Sequence, residues 1–150
     1  MPNRNHKIAD ILLVEDNEGD QLLFQEFFED FYICNSLTVV ETIAEAVKLC
    51  KKKEFDLHFL DLDVPDGGGF DFLDAMRGKV SANSVVILSG NGDMGAVQKA
   101  ATARVGAFVT KPLCIEKLQM LMRELDHLNF AITVKRSVVV ALDPMHARPA

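Results

Sequence analysis

Four short apolar runs in this chain each lead into a residue that can do chemistry. Ile11-Leu12-Leu13-Val14 precedes Glu15-Asp16, residues 57–60 precede Asp61, residues 85–88 precede Ser89, and Phe108-Val109-Thr110 precedes Lys111-Pro112. Each run reads as a buried strand with a charged or hydroxyl residue just past its carboxyl end. A parallel sheet binds ligands outside the carboxyl ends of its strands, so these residues are expected in one crevice. Three carboxylates, a hydroxyl and an ammonium gathered there form a set suited to moving a phosphoryl group onto an aspartate, with Asp61 as the acceptor. Glu15, Asp16 and Asp61 cannot comfortably all ionise so close together without a cation, because like charges raise one another's pKa. A hard divalent ion answers that need. Magnesium fits, since it takes oxygen ligands and is commonly held by one or two carboxylates plus phosphate oxygens.

The elements that must position these residues alternate between short apolar runs and helical patterns, the signature of an α/β parallel sheet. Phe24, Phe27, Phe28 and Phe31 recur at helical spacing and mark a packing stripe after the first strand. Residues 36–40 make a second strand. Thr42 with Glu45 forms a capping box for the second helix, which ends in Lys51-Lys52-Lys53, cations at the negative end of the helix dipole. Past Asp61 the chain turns through Pro65 and Gly67-Gly68-Gly69 into a third helix over about residues 70–77. These glycines read as a tight loop, because no Gly-x-x-x-x-Gly-Lys pattern accompanies them. A fourth helix is expected over 91–102, and Ile115, Leu118, Met122 and Leu125 stripe a fifth. The implied fold is flavodoxin-like: a doubly wound five-stranded parallel sheet in the order 2-1-3-4-5, five helices, and a C-terminal extension.

The domain is expected to span residues 1–129 and the extension 130–150. In the extension, the β-branched runs Ile132-Thr133-Val134 and Val138-Val139-Val140 flank Lys135-Arg136-Ser137 and favour one or two strands. A lone hairpin is marginal in water, so this tail must dock, either along its own domain or on a second copy. Exchange with a second copy, building a homodimer near Phe108, is the expectation adopted.

Bulk properties narrow the classes. The 150 residues suit one domain, and a formal net charge of -6 argues against a broad nucleic-acid surface. Cys34, Cys50 and Cys114 are odd in number and lack paired metal spacing, so they read as reduced thiols. Neither a charged-then-apolar leader in the first ten residues nor a membrane-length apolar stretch is evident, and a cytoplasmic protein without direct membrane contact is expected.

Over about residues 8–128 the chain resembles a response regulator receiver domain, the phospho-accepting half of a two-component signalling pair. The segments that carry the resemblance are Leu12-Leu13-Val14-Glu15-Asp16-Asn17, then residues 56–69 with Pro65 four and Gly69 eight places after Asp61, then Ser89-Gly90 and Lys111-Pro112. It implies that Asp61 takes a phosphoryl group from a phosphohistidine on a histidine kinase or phosphotransfer protein. It also implies that Asp16, Asp61 and the Asp63 backbone carbonyl bind magnesium directly, with Glu15 acting through water. Lys111 would neutralise the transferring group, Ser89 would donate to a phosphoryl oxygen, and the bond before Pro112 would be cis. Ser89 and Phe108 would form the switch. Phe108 stands where a tyrosine is often found and can fill the pocket without donating a hydrogen bond; the plainer reading makes it a half-buried core residue.

Two departures from the family pattern stand out: Glu15 replaces an aspartate, and Gly106-Ala107 lies about two places nearer the lysine than the usual Gly-Ala pair. With no DNA-binding or catalytic sequence following, the resemblance implies a stand-alone regulator that signals by protein contact, by relaying phosphate or as a phosphate sink. Such a protein is a phosphoacceptor, not an enzyme. The alternatives are a haloacid-dehalogenase-like aspartyl-phosphate phosphatase, suggested by Asp61-Leu62-Asp63, and a degenerate receiver acting as a binding module. The phosphatase family, however, places its nucleophile before its metal-binding acidic pair.

Overall fold

A computed structural model of the chain describes residues 9–31, 34, 36–90, 94–127 and 139–140. The elements run β1 (Asp10–Val14), α1 (Glu18–Asp30), β2 (Ser36–Val40), α2 (Ile43–Cys50), β3 (Leu57–Asp61), α3 (Gly69–Ala75), a 3-10 turn at Ala82–Ser84, β4 (Val85–Ser89), α4 (Met94–Ala103), β5 (Ala107–Thr110), α5 (Ile115–His127) and β6 (Val139–Val140). All strand pairs are parallel, in the order β2-β1-β3-β4-β5-β6. The five-stranded 2-1-3-4-5 sheet and its five helices are those expected. β6 is added at the β5 edge, with Ala107 opposite Val139 and Phe108 opposite Val140. The rest of the extension, including Ile132-Thr133-Val134, lies outside the described residues.

Side chains alternate across each strand, so the continuous apolar runs fill two cores at once. Ile11 and Leu13 face one core with Phe24, Phe27, Phe59, Leu118, Leu121 and Leu125. Leu12 and Val14 face the other with Ile43, Leu60, Phe72, Ile87, Ala100 and Phe108. Phe24 meets Phe59 edge-on at 4.9 Å between centroids, which fixes α1 against β3. Phe31, expected in the same stripe, is half exposed at the C-cap of α1, because the helix ends before that turn reaches the sheet.

Helix ends are set by local chemistry. Thr42 Oγ1 accepts from Glu45 N–H at 3.1 Å, while the Glu45 carboxylate accepts from Glu41 N–H at 3.1 Å and from the Thr42 hydroxyl at 3.2 Å, a variant of the expected box. A second cap for α2 comes from far along the chain. Asp66 accepts from Ile43 N–H at 2.7 Å and Ala44 N–H at 3.0 Å, and these bonds hold its carboxyl below the usual pKa. The loop that follows β3 is thereby tied to α2. Within it, Val64 and Gly67 exchange backbone hydrogen bonds, Gly67 sits at φ 138°, and a Cβ on Gly68 would collide with the Leu62 carbonyl. Only glycine fits these two positions.

α3 ends two residues earlier than the sequence reading suggests, at Ala75. The expected start of α4 at Asn91 lies outside the described residues. Its other end accounts for the shifted Gly-Ala pair. Arg104 adopts φ 64°, its N–H bonds to the Ala101 carbonyl, and the Val105 N–H bonds to the Ala100 carbonyl. That is a Schellman closure with arginine in the left-handed position. The chain then enters β5 at once, with Gly106 N–H on the Val85 carbonyl at 2.8 Å. Cys34, Cys50 and Cys114 are free thiols, and among the described residues no helix is long and apolar enough to cross a membrane.

Candidate functional site at the carboxyl edge of the sheet

β1 delivers Glu15 and Asp16 to the edge of the sheet. Glu15 is fully buried and its N–H donates to the Val40 carbonyl at 3.0 Å, extending the β1–β2 pairing by one residue. Its carbonyl accepts from Gln21 Nε2 at 2.7 Å, and its carboxylate accepts from Asn17 N–H at 3.1 Å. Asn17 then caps α1 through Asp20 N–H at 2.9 Å. Asp61 and Ser89 are the last residues of β3 and β4, not the first beyond them, and both are buried. One Asp61 oxygen accepts from Asp63 N–H at 2.9 Å, while Asp63 itself is exposed.

Lys111 enters from the opposite side. Its N–H donates to the Ser89 carbonyl at 2.7 Å, its peptide bond to Pro112 is cis, and its side chain reaches back over the edge. Nζ lies 2.9 Å from Glu15 Oε1, 2.9 Å from Asp20 Oδ2 and 3.0 Å from Asp61 Oδ2. Glu15, Asp16 and Asp61 each offer a carboxylate oxygen within 4.8 Å of the others, a spacing that one cation can bridge. Burial, with Asp61 adding to it, pushes Glu15 up to about 7 against the lowering pull of Lys111. Burial also works against the Lys111 ammonium, but its bonds to Glu15, Asp20 and Asp61 outweigh that and raise its pKa.

Glu15, Asp16, Asp61 and Lys111 are therefore brought together. Ser89 sits one step beyond Leu88, the residue facing Asp61 across the β3–β4 pairing. Phe108 is fully buried, paired in register with Ile87, where half-burial was one expectation. Sequence reasoning missed Asp20, whose signal was its place four residues after Asp16 on the first turn of α1. It also missed Lys117, a buried lysine whose Nζ donates to the Thr110 carbonyl at 2.6 Å and the Pro112 carbonyl at 2.9 Å. These bonds brace the chain on both sides of Lys111.

A doubly wound parallel sheet with an acidic pair after β1, an aspartate ending β3 and a lysine after β5 defines a receiver domain, the phosphoacceptor class of two-component signalling. The chain belongs to the response regulator receiver domain family, whose model matches residues 11–123. It is 22% identical over 142 residues to a probable C4-dicarboxylate response regulator, DctR, of Priestia megaterium, covering 94% of this chain and 62% of that protein. The chain thus spans less than two thirds of that relative's length.

Among solved structures it resembles the phosphorylated cyanobacterial phytochrome response regulator RcpA, with a TM-score of 0.71 at 22% identity over 86% of this chain and 99% of that one. It also resembles the receiver domain of a sensor histidine kinase from Pseudomonas aeruginosa, with a TM-score of 0.64 at 22% identity over 78% and 97% of the two chains. That domain holds a magnesium ion in its active-site cleft. At these identities the two structures establish the shared fold. The family match, with its acidic pair ahead of Asp61, sets aside the phosphatase alternative.

Proposed function

We propose that this chain accepts a phosphoryl group on Asp61 from a phosphohistidine of a histidine kinase or phosphotransfer protein. The observation that carries this reading is the Lys111 ammonium, 3.0 Å from an Asp61 oxygen in a crevice that also holds Glu15 and Asp16. An Asp61 oxygen attacks phosphorus, the bond from phosphorus to the imidazole nitrogen breaks, and the imidazole departs with the electron pair as the acyl phosphate forms. Lys111 neutralises charge on the phosphoryl oxygens and Ser89 donates its hydroxyl to one of them.

Three carboxylates in mutual reach suit magnesium, with Asp16, Asp61 and the Asp63 carbonyl as direct ligands and Glu15 acting through water. Bound there, the ion supplies positive charge to the transferring group. The protein takes part in its own magnesium-dependent phosphorylation and dephosphorylation, and acts as a phosphoacceptor rather than a turnover enzyme. A cytoplasmic location without direct nucleic-acid or membrane contact accords with such a partner and with the net charge of -6.

Switching in this reading passes from Ser89 to Phe108, which acts by filling space because it has no hydroxyl. The output is contact with another protein, and the 130–150 extension contributes to a homodimer. Val139–Val140 pairs as a parallel strand with β5 of its own chain, directly beside Phe108, which is the docking along its own domain; the homodimer requires the same segment to exchange onto the β5 edge of a second copy.

Acetyl phosphate with magnesium should place one hydroxylamine-labile phosphoryl group on the protein, and Asp61→Asn should abolish it. Equal labelling of that variant would remove Asp61 from its role. Light scattering of the full chain at tens of micromolar, against a chain ending at Asn129, tests the dimer. A full-length monomer with and without beryllofluoride rules it out.

A further inference from the structure

An ammonium has three hydrogens, and on Lys111 three carboxylates are placed to take them: Glu15 and Asp20 at 2.9 Å and Asp61 at 3.0 Å. We propose that Asp20 is a positioning residue that aims the Lys111 ammonium at the phosphoryl group on Asp61. The proposal rests on Asp61 being the acceptor. Lysine is a point charge on a four-carbon stem with free rotation at its tip, so its aim depends on what holds its other hydrogens. Here the base of the stem is fixed by the Lys111 N–H on the Ser89 carbonyl. Glu15 and Asp20 hold the tip from the β1–α1 side. The remaining hydrogen faces Asp61. When Asp61 carries a phosphoryl group, that hydrogen passes to a phosphoryl oxygen while the other two stay where they were.

Asp20 is itself well placed for the task. It sits on the first turn of α1, where negative charge is favoured by the helix dipole, and its N–H is locked on Asn17 Oδ1 at 2.9 Å. Its side chain and that of Lys111 are largely covered, with 23% and 18% of their surfaces exposed, so solvent does little to weaken the pair. Among the described residues the carboxylates close enough to share a cation are Glu15, Asp16 and Asp61, without Asp20. Asp20 therefore acts on the lysine and not on the metal.

The test compares Asp20→Ala, Asp20→Asn and Asp61→Asn in the full chain. It measures the limiting rate of labelling by acetyl phosphate at saturating magnesium, the acetyl phosphate concentration at half that rate, and magnesium affinity by calorimetry. Asp20→Ala should lower the limiting rate on the order of tenfold, with the half-saturating concentration and magnesium affinity unchanged. Asp20→Asn, which keeps an acceptor oxygen, should recover most of the rate. An unchanged or faster rate in Asp20→Ala overturns the proposal, as does a parallel fall in magnesium affinity. So does an Asp20→Asn variant as slow as Asp20→Ala, which would mean that charge and not aim is what matters. If Asp61→Asn labels like the unaltered chain, the acceptor reading itself falls and takes this one with it.

Discussion

Strand β3 carries a buried titratable group at each end, and the two ends treat their groups in opposite ways. His58, with 2% of its surface exposed, stands near the amino end, and Asp61, with 3%, closes the carboxyl end. Around His58 the hydrogen-bond partners are neutral, and the one charge that acts on it, the Asp56 carboxylate, does so through space. The Ser84 hydroxyl donates to the Ser81 carbonyl at 2.7 Å, so it must accept at 3.0 Å from Nδ1–H of the His58 ring. Burial pushes His58 down to about 4 against the raising effect of the Ser84 carbonyl, so the ring is uncharged at neutral pH. Around Asp61 the partners are charged, and one ammonium is shared by carboxylates that carry more negative charge than it can balance. The amino end is complete as packing. The carboxyl end is left ready for a cation and an anion to enter together.

The largest expected effect strikes the charged end. Lys111→Met keeps the length of the side chain but removes the charge, and labelling of Asp61 by acetyl phosphate should slow on the order of a hundredfold. A rate near that of the unaltered chain would show that this end does not depend on its ammonium. Asp16→Asn should weaken magnesium binding by about tenfold, equivalent to about 1.4 kcal/mol, as read by calorimetry. Unchanged affinity would take Asp16 out of the metal site.

The two ends should also answer pH with opposite signs. The fold lowers the His58 pKa from 6.5 to about 4, so between those values the unfolded chain binds the extra proton and stability falls with falling pH. The loss accrues from pH 6.5 down to about 4 and amounts to about 3 kcal/mol. Glu15 runs the other way. Its pKa rises from 4.5 to about 7, so in chelator its share of stability is full below 4.5 and lost as pH climbs through 7. Urea unfolding of His58→Leu from pH 4 to 8 should flatten the acid slope and expose the Glu15 trend. An acid slope that survives the substitution would mean another group causes it.

The smallest effect belongs to Ser84→Ala, which removes the hydroxyl acceptor of His58 and should cost about 1 kcal/mol in urea unfolding. Labelling of Asp61 should be untouched. A matching loss of labelling would mean that the two ends of β3 are coupled and not separate.

Much of this molecule is legible in its sequence alone. The four apolar runs and the cap at Thr42 depend on neighbours in sequence, and local chemistry determines them. The order of Glu15-Asp16, Asp61, Ser89 and Lys111 along the chain was enough to define the family and the crevice, because parallel strands must all end on one side.

Other features depended on which distant segments meet. That Asp20 and not some other acid takes the third hydrogen of Lys111, that Asp66 caps a helix more than twenty residues before it, and that Lys117 braces the carbonyls around Lys111 follow only once the elements are packed. Phe31 and Phe108 make the same point from opposite directions. Both are phenylalanines in apolar patterns, yet one ends a helix half exposed with its ring stacked on Phe27 and the other lies under the sheet edge with none of its surface exposed. Periodicity reports which face of an element is apolar. Only the tertiary structure decides how far that face extends before its cover runs out.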